Sequence, residues 1–191
     1  MIKAIVFDCF GVLATDIWLE FLDSLPETVD KNRLLGVNRA YDRGIISLGD
    51  YNRQIFEETG LQAPDLKTAN PSGINKNYNL LELIKKLKSD YKIGLLSNIS
   101  SDWITSELLS HGEQKLFDTI VLSYELGITK PDPRIYEITC QRLGCETQEA
   151  LMIDDREAYV QGAKDVGMQG IVYAGMQKLT QDLSLVLNSD N

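Results

Sequence analysis

Short apolar runs punctuate this chain at the intervals a parallel sheet requires. Ala4-Ile5-Val6-Phe7, Ile93-Gly94-Leu95-Leu96, Thr119-Ile120-Val121-Leu122, Ala150-Leu151-Met152-Ile153 and Gly170-Ile171-Val172-Tyr173 carry apolar residues on both faces, as strands covered on two sides do. From residue 91 onward they alternate with stretches of helical period. Ser100 or Ser101 is placed to cap a helix running to about His111. Pro133 is placed to open one ending near Gly144, and Glu157 to begin a third that reaches Val166 and stops at Gly167. Tyr78 to Lys88 reads as a helix feeding the second strand. This order predicts an α/β fold, a doubly wound parallel sheet with right-handed crossovers.

The stretch after the first strand breaks the rhythm. It holds no strand-like run, yet Ile17-Trp18-Leu19, Phe21-Leu22, Leu34-Leu35, Ile45-Ile46 and Ile55-Phe56 recur at spacings that suit several short amphipathic helices. Residues 15–72 are therefore expected to be a helical insert, with 1–14 and 73–191 forming the core. Asn70-Pro71-Ser72-Gly73 reads as the return linker.

Composition narrows the function classes. With 191 residues, 43% of them hydrophobic, the chain can bury one good core and a small accessory module. A formal charge of −9 repels a nucleic-acid backbone, and no basic block offsets it, so nucleic acid is not an expected partner. The opening Met1-Ile2-Lys3 lacks a signal-peptide pattern, and no apolar run approaches the roughly 20 residues that span a bilayer. Cys9, Cys140 and Cys145 make neither an even disulfide set nor a paired metal-ligand pattern, which suits a reducing, cytoplasmic setting. The single histidine, His111, leaves little from which to build a histidine triad or zinc site.

What stands at the strand ends is more informative. The first strand closes on Asp8, the second on Ser97-Asn98, and the fourth on Asp154-Asp155. Ligands of open α/β sheets bind beyond the carboxyl ends of the strands, so these groups can converge on one site. Carboxylates brought together repel one another, and Asp8, Asp154 and Asp155 most naturally surround a hard cation, for which Mg2+ is the best match. Lys130, in Gly127-Ile128-Thr129-Lys130-Pro131-Asp132-Pro133, would complete such a site for an anion. Taken singly, each group has a plainer use: Asp154-Asp155 and Ser97-Asn98 as helix caps or turns, Lys130 as part of a solvated loop, Asp8 as the cap of a following turn.

In sequence the chain resembles the haloacid dehalogenase superfamily of aspartate-nucleophile hydrolases along essentially its whole length. Asp8-Cys9-Phe10-Gly11-Val12-Leu13 matches that superfamily's first motif and Leu96-Ser97-Asn98 its second. Lys130-Pro131-Asp132-Pro133 matches the third and Ile153-Asp154-Asp155 the fourth, while the early insert is similar to its small α-helical cap. The resemblance implies a Rossmann-like core that opens and closes against the cap. It implies Asp8 as nucleophile and metal ligand, the Phe10 backbone carbonyl as a second ligand, and Asp154 and Asp155 holding magnesium directly or through water. Ser97 and the Asn98 backbone amide would grip a phosphoryl group, and Lys130 would neutralise charge. The implied substrate is a small phosphorylated metabolite.

One departure matters. Most phosphatases of the superfamily have a second aspartate where this chain has Phe10, and that group moves protons. Three readings follow: a phosphatase that uses water, a cap residue or a good leaving group instead; a silent binding or regulatory protein; or a dehalogenase, whose relatives carry an aromatic residue there because halide leaves without a proton. Dehalogenases usually lack the paired acids, which this chain retains. In the insert, Tyr41-Asp42-Arg43-Gly44 offers Asp42 and Arg43 as candidate substrate contacts, against a plainer role as a helix-ending loop. Trp18 and Trp103 are expected to serve packing.

Overall fold

The computed structural model describes residues 1–64 and 74–188. Its strands β1 (Ala4–Phe7), β2 (Lys92–Ser97), β3 (Thr119–Leu122), β4 (Ala150–Asp154) and β5 (Gln169–Val172) are all parallel, in the order β3-β2-β1-β4-β5. Helices α1 (Ile17–Ser24), α2 (Lys31–Asp42) and α3 (Leu48–Thr59) follow β1, and α4 (Tyr78–Leu87) leads into β2. The remaining helices are α5 (His111–Gln114), α6 (Ser123–Leu126), α7 (Pro133–Leu143), α8 (Glu157–Asp165) and α9 (Met176–Asn188). The order reverses between β1 and β4, because β2 and β3 extend to one side of β1 while β4 and β5 extend to the other. That reversal opens a crevice beyond the carboxyl ends of β1 and β4.

The period of two along β1 sorts its side chains onto two cores. Ile5 and Phe7 face a cluster completed by Leu80 and Ile84 of α4 and by Leu179 and Leu183 of α9. Ala4 and Val6 face a second cluster with Ile135, Tyr136 and Leu143 of α7 and Ala163 of α8. The segment α1–α3 builds a third, of its own, from Trp18, Leu22, Leu25, Leu34, Tyr51 and Ile55. Asp16, Asp30 and Ser47 cap these three helices through their side chains.

The structure departs from the sequence expectation in several places. There is no continuous helix from Ser100 to His111. A π-helical turn at Ile104–Leu108 ends in extended Leu109, and Ser110 then opens α5 through a capping box with Glu113, so His111 and Gly112 begin a helix instead of ending one. Burying Trp103, Ile104, Leu108 and Leu109 together needs a wider apolar arc than one straight helix face supplies. Ile45-Ile46 lies outside the helices, because Gly44, at φ 68°, ends α2 just before it. Helix α9 exceeds the expectation, since its buried stripe is only Leu179 and Leu183 and announces itself weakly. The expected linker Asn70-Pro71-Ser72-Gly73 lies outside the described residues.

Candidate active site

Parallel pairing carries Asp8 to its place. Its N–H donates to the Ile153 carbonyl at 2.9 Å, continuing the β1–β4 ladder by one residue and setting Asp8 beside Asp154. The backbone N–H of Cys9 donates to Asp8 Oδ1 at 2.7 Å, and that of Arg156 to Asp154 Oδ1 at 2.9 Å. Lys130 reaches between the two acids, its Nζ 2.7 Å from Asp8 Oδ1 and 2.6 Å from Asp154 Oδ2. All three are buried, Lys130 and Asp154 completely.

The Lys130 loop is pinned by Asn98. The Lys130 N–H donates to Asn98 Oδ1 at 2.8 Å, and Asn98 Nδ2 donates back to the Lys130 carbonyl at 3.1 Å. Asn98 therefore fixes the lysine with its side chain, a part the sequence reading did not give it. The peptide between Lys130 and Pro131 is cis.

Charge is unbalanced here. Carboxylate oxygens of Asp8, Asp154 and Asp155 lie within 4.8 Å of one another, and the Lys130 ammonium pairs with only the first two. Burial, then the Asp154 charge, pushes the Asp8 carboxyl well above its usual range despite Lys130. Burial raises Asp155 to about 6, with Asp154 adding to the effect and Arg156 opposing it. Burial works against charge on Lys130, but Asp154 and Asp8 outweigh it and hold the amine protonated.

Two buried polar atoms at this place have no hydrogen-bond partner among the described residues, Ser97 Oγ and Asp155 Oδ1. A buried polar atom without a partner is costly, and two of them at strand ends flanking a carboxylate cluster mark groups arranged for a ligand. Gly11, at φ 85°, packs directly on Asp155, where any Cβ would run into the carboxylate. The donor set is all oxygen, two negative charges remain after Lys130, and one ligand atom is free: this fits a hard divalent cation.

Above these groups lies a cavity of about 180 Å³ between the sheet's edge and α1–α3. Asp8, Lys130, Asn98 and Phe10 line its floor, and Trp18, Asn38, Tyr41, Asp42 and Tyr51 its other wall. Phe10 stacks against Trp103 with centroids 6.3 Å apart, so both rings pack and both face the cavity. Trp18 likewise belongs to the core of the α1–α3 segment while lining the cavity.

The paired candidates Asp42 and Arg43 separate. Asp42 lines the cavity, with its carboxyl raised to about 7 chiefly by burial, the Arg156 charge lowering it and Asp16 raising it. Arg43 turns to the core instead, where its Nε donates to the Gly127 carbonyl at 3.0 Å. As the residue that ends α2, it is carried past the cavity wall, so the structure does not bring Arg43 to the cavity beside Asp42.

Sequence reasoning missed Arg156 and its partner Asp16. Arg156 Nη2 donates to Asp16 Oδ2 at 2.9 Å, and Asp16 Oδ1 caps α1. The two residues are 140 positions apart, and no local pattern links them.

The site thus sets a buried acid–lysine–acid bridge and a further acid at the switch point of a doubly wound α/β core. The chain belongs to the haloacid dehalogenase-like hydrolase family, which matches residues 52–173. Over 99% of its length it is 28% identical to a D-ribitol-5-phosphate phosphatase of Bacteroides thetaiotaomicron, covering all of that protein. A HAD family enzyme of the same organism, solved with magnesium and inorganic phosphate, superposes with a TM-score of 0.69 at 25% identity, over 92% of this chain and 96% of that one. A shorter match, 31% identical over 47% of this chain and 39% of the other protein, is to an (S)-2-haloacid dehalogenase of Burkholderia cepacia. No helix among the described residues is long and apolar enough to cross a membrane.

Proposed function

We propose that this hydrolase is a magnesium-dependent phosphatase of a small phosphorylated metabolite, acting in the cytoplasm through a phosphoryl-aspartate on Asp8. The observation that carries the reading is the buried bridge from Asp8 through Lys130 to Asp154, beside an unpartnered Ser97 hydroxyl. Asp8, Asp154, Asp155 and the Phe10 carbonyl would hold magnesium, which when bound supplies positive charge against the phosphoryl oxygens. Asp8 attacks phosphorus, Lys130 offsets the charge that builds on the transferring group, and the Ser97 hydroxyl and Asn98 amide donate to its oxygens. Water then releases phosphate from Asp8. A cavity this size, walled by Asn38, Asp42 and tyrosines, suits a polyol or sugar phosphate such as that of the Bacteroides relative.

The test pairs activity with ligand binding. Wild type should hydrolyse p-nitrophenyl phosphate with magnesium, and Asp8→Asn should abolish turnover while still melting cooperatively. Magnesium should raise the melting temperature of wild type and not that of an Asp154→Asn/Asp155→Asn variant, since a ligand confined to the native state stabilises it. Turnover surviving in Asp8→Asn would overturn the nucleophile.

Phe10 and the Burkholderia relative favour a second reading, a 2-haloacid dehalogenase. Halide release by wild type in the absence of metal would promote it over the phosphatase. Tight phosphate binding without turnover of any ester would instead promote a silent binding protein.

A further inference from the structure

With Phe10 in place of a second carboxylate, the group that protonates the leaving oxygen must come from elsewhere. In-line displacement fixes where to look. Asp8 approaches phosphorus from the end of β1, so the departing oxygen lies on the opposite side of the phosphoryl group, toward the wall built by α1–α3. That wall carries two carboxylates, Asp16 and Asp42. Both oxygens of Asp16 are committed, Oδ1 to the start of α1 and Oδ2 to Arg156. Asp42 differs: Oδ2 accepts from Asn38 Nδ2 at 2.8 Å, and its other oxygen takes no hydrogen bond among the described residues.

Asp42 is also held in position. Tyr51 donates its hydroxyl to Asn38 Oδ1 at 3.2 Å, so a Tyr51–Asn38–Asp42 chain orients the carboxyl from α3 and α2. The end of α2 is tied to the core twice, at this residue and the next: Ser123 Oγ is 2.7 Å from the Asp42 carbonyl, and Arg43 reaches Gly127. Asp42, Asn38, Asn98, Arg156 and Tyr159 also line a second cavity of about 180 Å³.

We propose that Asp42 is the general acid and base of this enzyme, standing in from helix α2 for the carboxylate that Phe10 replaces. The proposal rests on the phosphatase reading above. In the first half-reaction an Asp8 oxygen forms a bond to phosphorus as the phosphorus–alkoxide bond breaks, and the alkoxide takes the proton of Asp42. In the second, Asp42 accepts a proton from water as the water oxygen bonds to phosphorus and the phosphorus–Asp8 bond breaks, which returns both acids to their starting forms. Burial favours the protonated carboxyl that the first step needs, placing its titration at about 7. Besides Tyr41 on its own helix, the charged and titratable groups that share the cavity with it are Asp8, Asp16, Tyr51, Lys130, Arg156 and Tyr159.

The experiment compares two leaving groups in the holoenzyme with magnesium. Asp42→Asn should lower the single-turnover rate of alcohol release from an alkyl phosphate such as ribitol 5-phosphate by about 10²–10⁴-fold, the usual worth of general acid–base catalysis. On p-nitrophenyl phosphate, whose leaving group scarcely needs a proton, the single-turnover burst of nitrophenol should change by less than about tenfold, while hydrolysis of phosphoryl-Asp8, which uses Asp42 as base for either ester, slows in the steady state. Wild-type single-turnover alcohol release should fall as pH rises through about 7, that limb being absent from the nitrophenol burst and from the variant. Equal losses in the two first-step rates, or no loss on the alkyl ester, would overturn the role. If Asp42→Asn fails to fold, the wild-type profiles decide: no difference between the two esters above pH 7 overturns it. Failure of this inference is separable from failure of the phosphatase reading, because the latter would leave p-nitrophenyl phosphate unhydrolysed by wild type and would remove both.

Discussion

Asp8 and Asp154 stand on one side of the cavity, fixed by the register of two paired strands and by a shared buried ammonium. Asp42 stands on the other, held by one side-chain amide of its own helix. The strand-end acids are over-determined: ladder, backbone donors and lysine all agree on where the oxygens lie. The helix-end acid has fewer constraints and keeps an oxygen free. A nucleophile and metal ligands gain from rigid placement, whereas a group that must give and take a proton gains from an open coordination site and a carboxyl poised between its two forms. The two walls thus suit different parts of one reaction.

Removing the lysine should break this comparison most severely. In Lys130→Met, Asp8 and Asp154 lose their common partner in a buried site, and stranding buried charge costs about 3–5 kcal/mol. For a chain of this size that corresponds to a melting temperature lower by roughly 6–20 °C. The loss should be partly recovered by millimolar magnesium, and hydrolysis of both alkyl and aryl phosphates should vanish. A variant that melts like wild type without magnesium would mean that the acids are not jointly held by Lys130.

The same contrast explains what could be read from sequence. Each strand appeared as an apolar run, and the residue after a run is the one the ladder delivers to the crevice, so Asp8, Ser97 and Asp154 were legible with no knowledge of packing. Lys130 was legible only as a basic residue on the right loop; that Asn98 clasps that loop with its side chain was not, because the two are 32 residues apart and joined only by folding. On α2, neighbouring Asp42 and Arg43 could not be told apart. The last turn of the helix sends one to the cavity and the other to the Gly127 carbonyl, and that rotation is set by how Leu34, Tyr51 and Ile55 pack. Arg156 and Asp16 lay beyond reach for the same reason.

Ser97→Ala sharpens the strand-end half at a smaller cost. The hydroxyl is buried with no partner among the described residues, so its removal forfeits no hydrogen bond seen there and relieves an unsatisfied group; the melting temperature should stay level or rise slightly. Activity should fall on alkyl and aryl esters alike, by about 10²-fold, the order expected for one lost donor to a developing charge. A destabilised variant of unchanged activity would assign Ser97 to the core and not to the phosphoryl group.

The smallest expected effect probes the helix-end half through its anchorage. Arg43→Ala removes the tie from Arg43 Nε to the Gly127 carbonyl while leaving the Ser123 tie and the Asn38–Asp42 bond intact. A partly exposed hydrogen bond of this kind contributes about 1 kcal/mol, which for a chain of this length shifts the melting temperature by only about 2–4 °C. The informative quantity is the ratio of two rates. If the tie helps to set Asp42 against the leaving oxygen, single-turnover alcohol release from an alkyl phosphate should drop by severalfold, up to about tenfold, while the nitrophenol burst from p-nitrophenyl phosphate holds, because in that first step a misplaced acid hurts only the ester that needs it. If Arg43 instead contacts substrate, KM should rise for the alkyl ester with kcat unchanged, the signature of lost uniform binding, and the placement of Arg43 against the core would be wrong for the working enzyme.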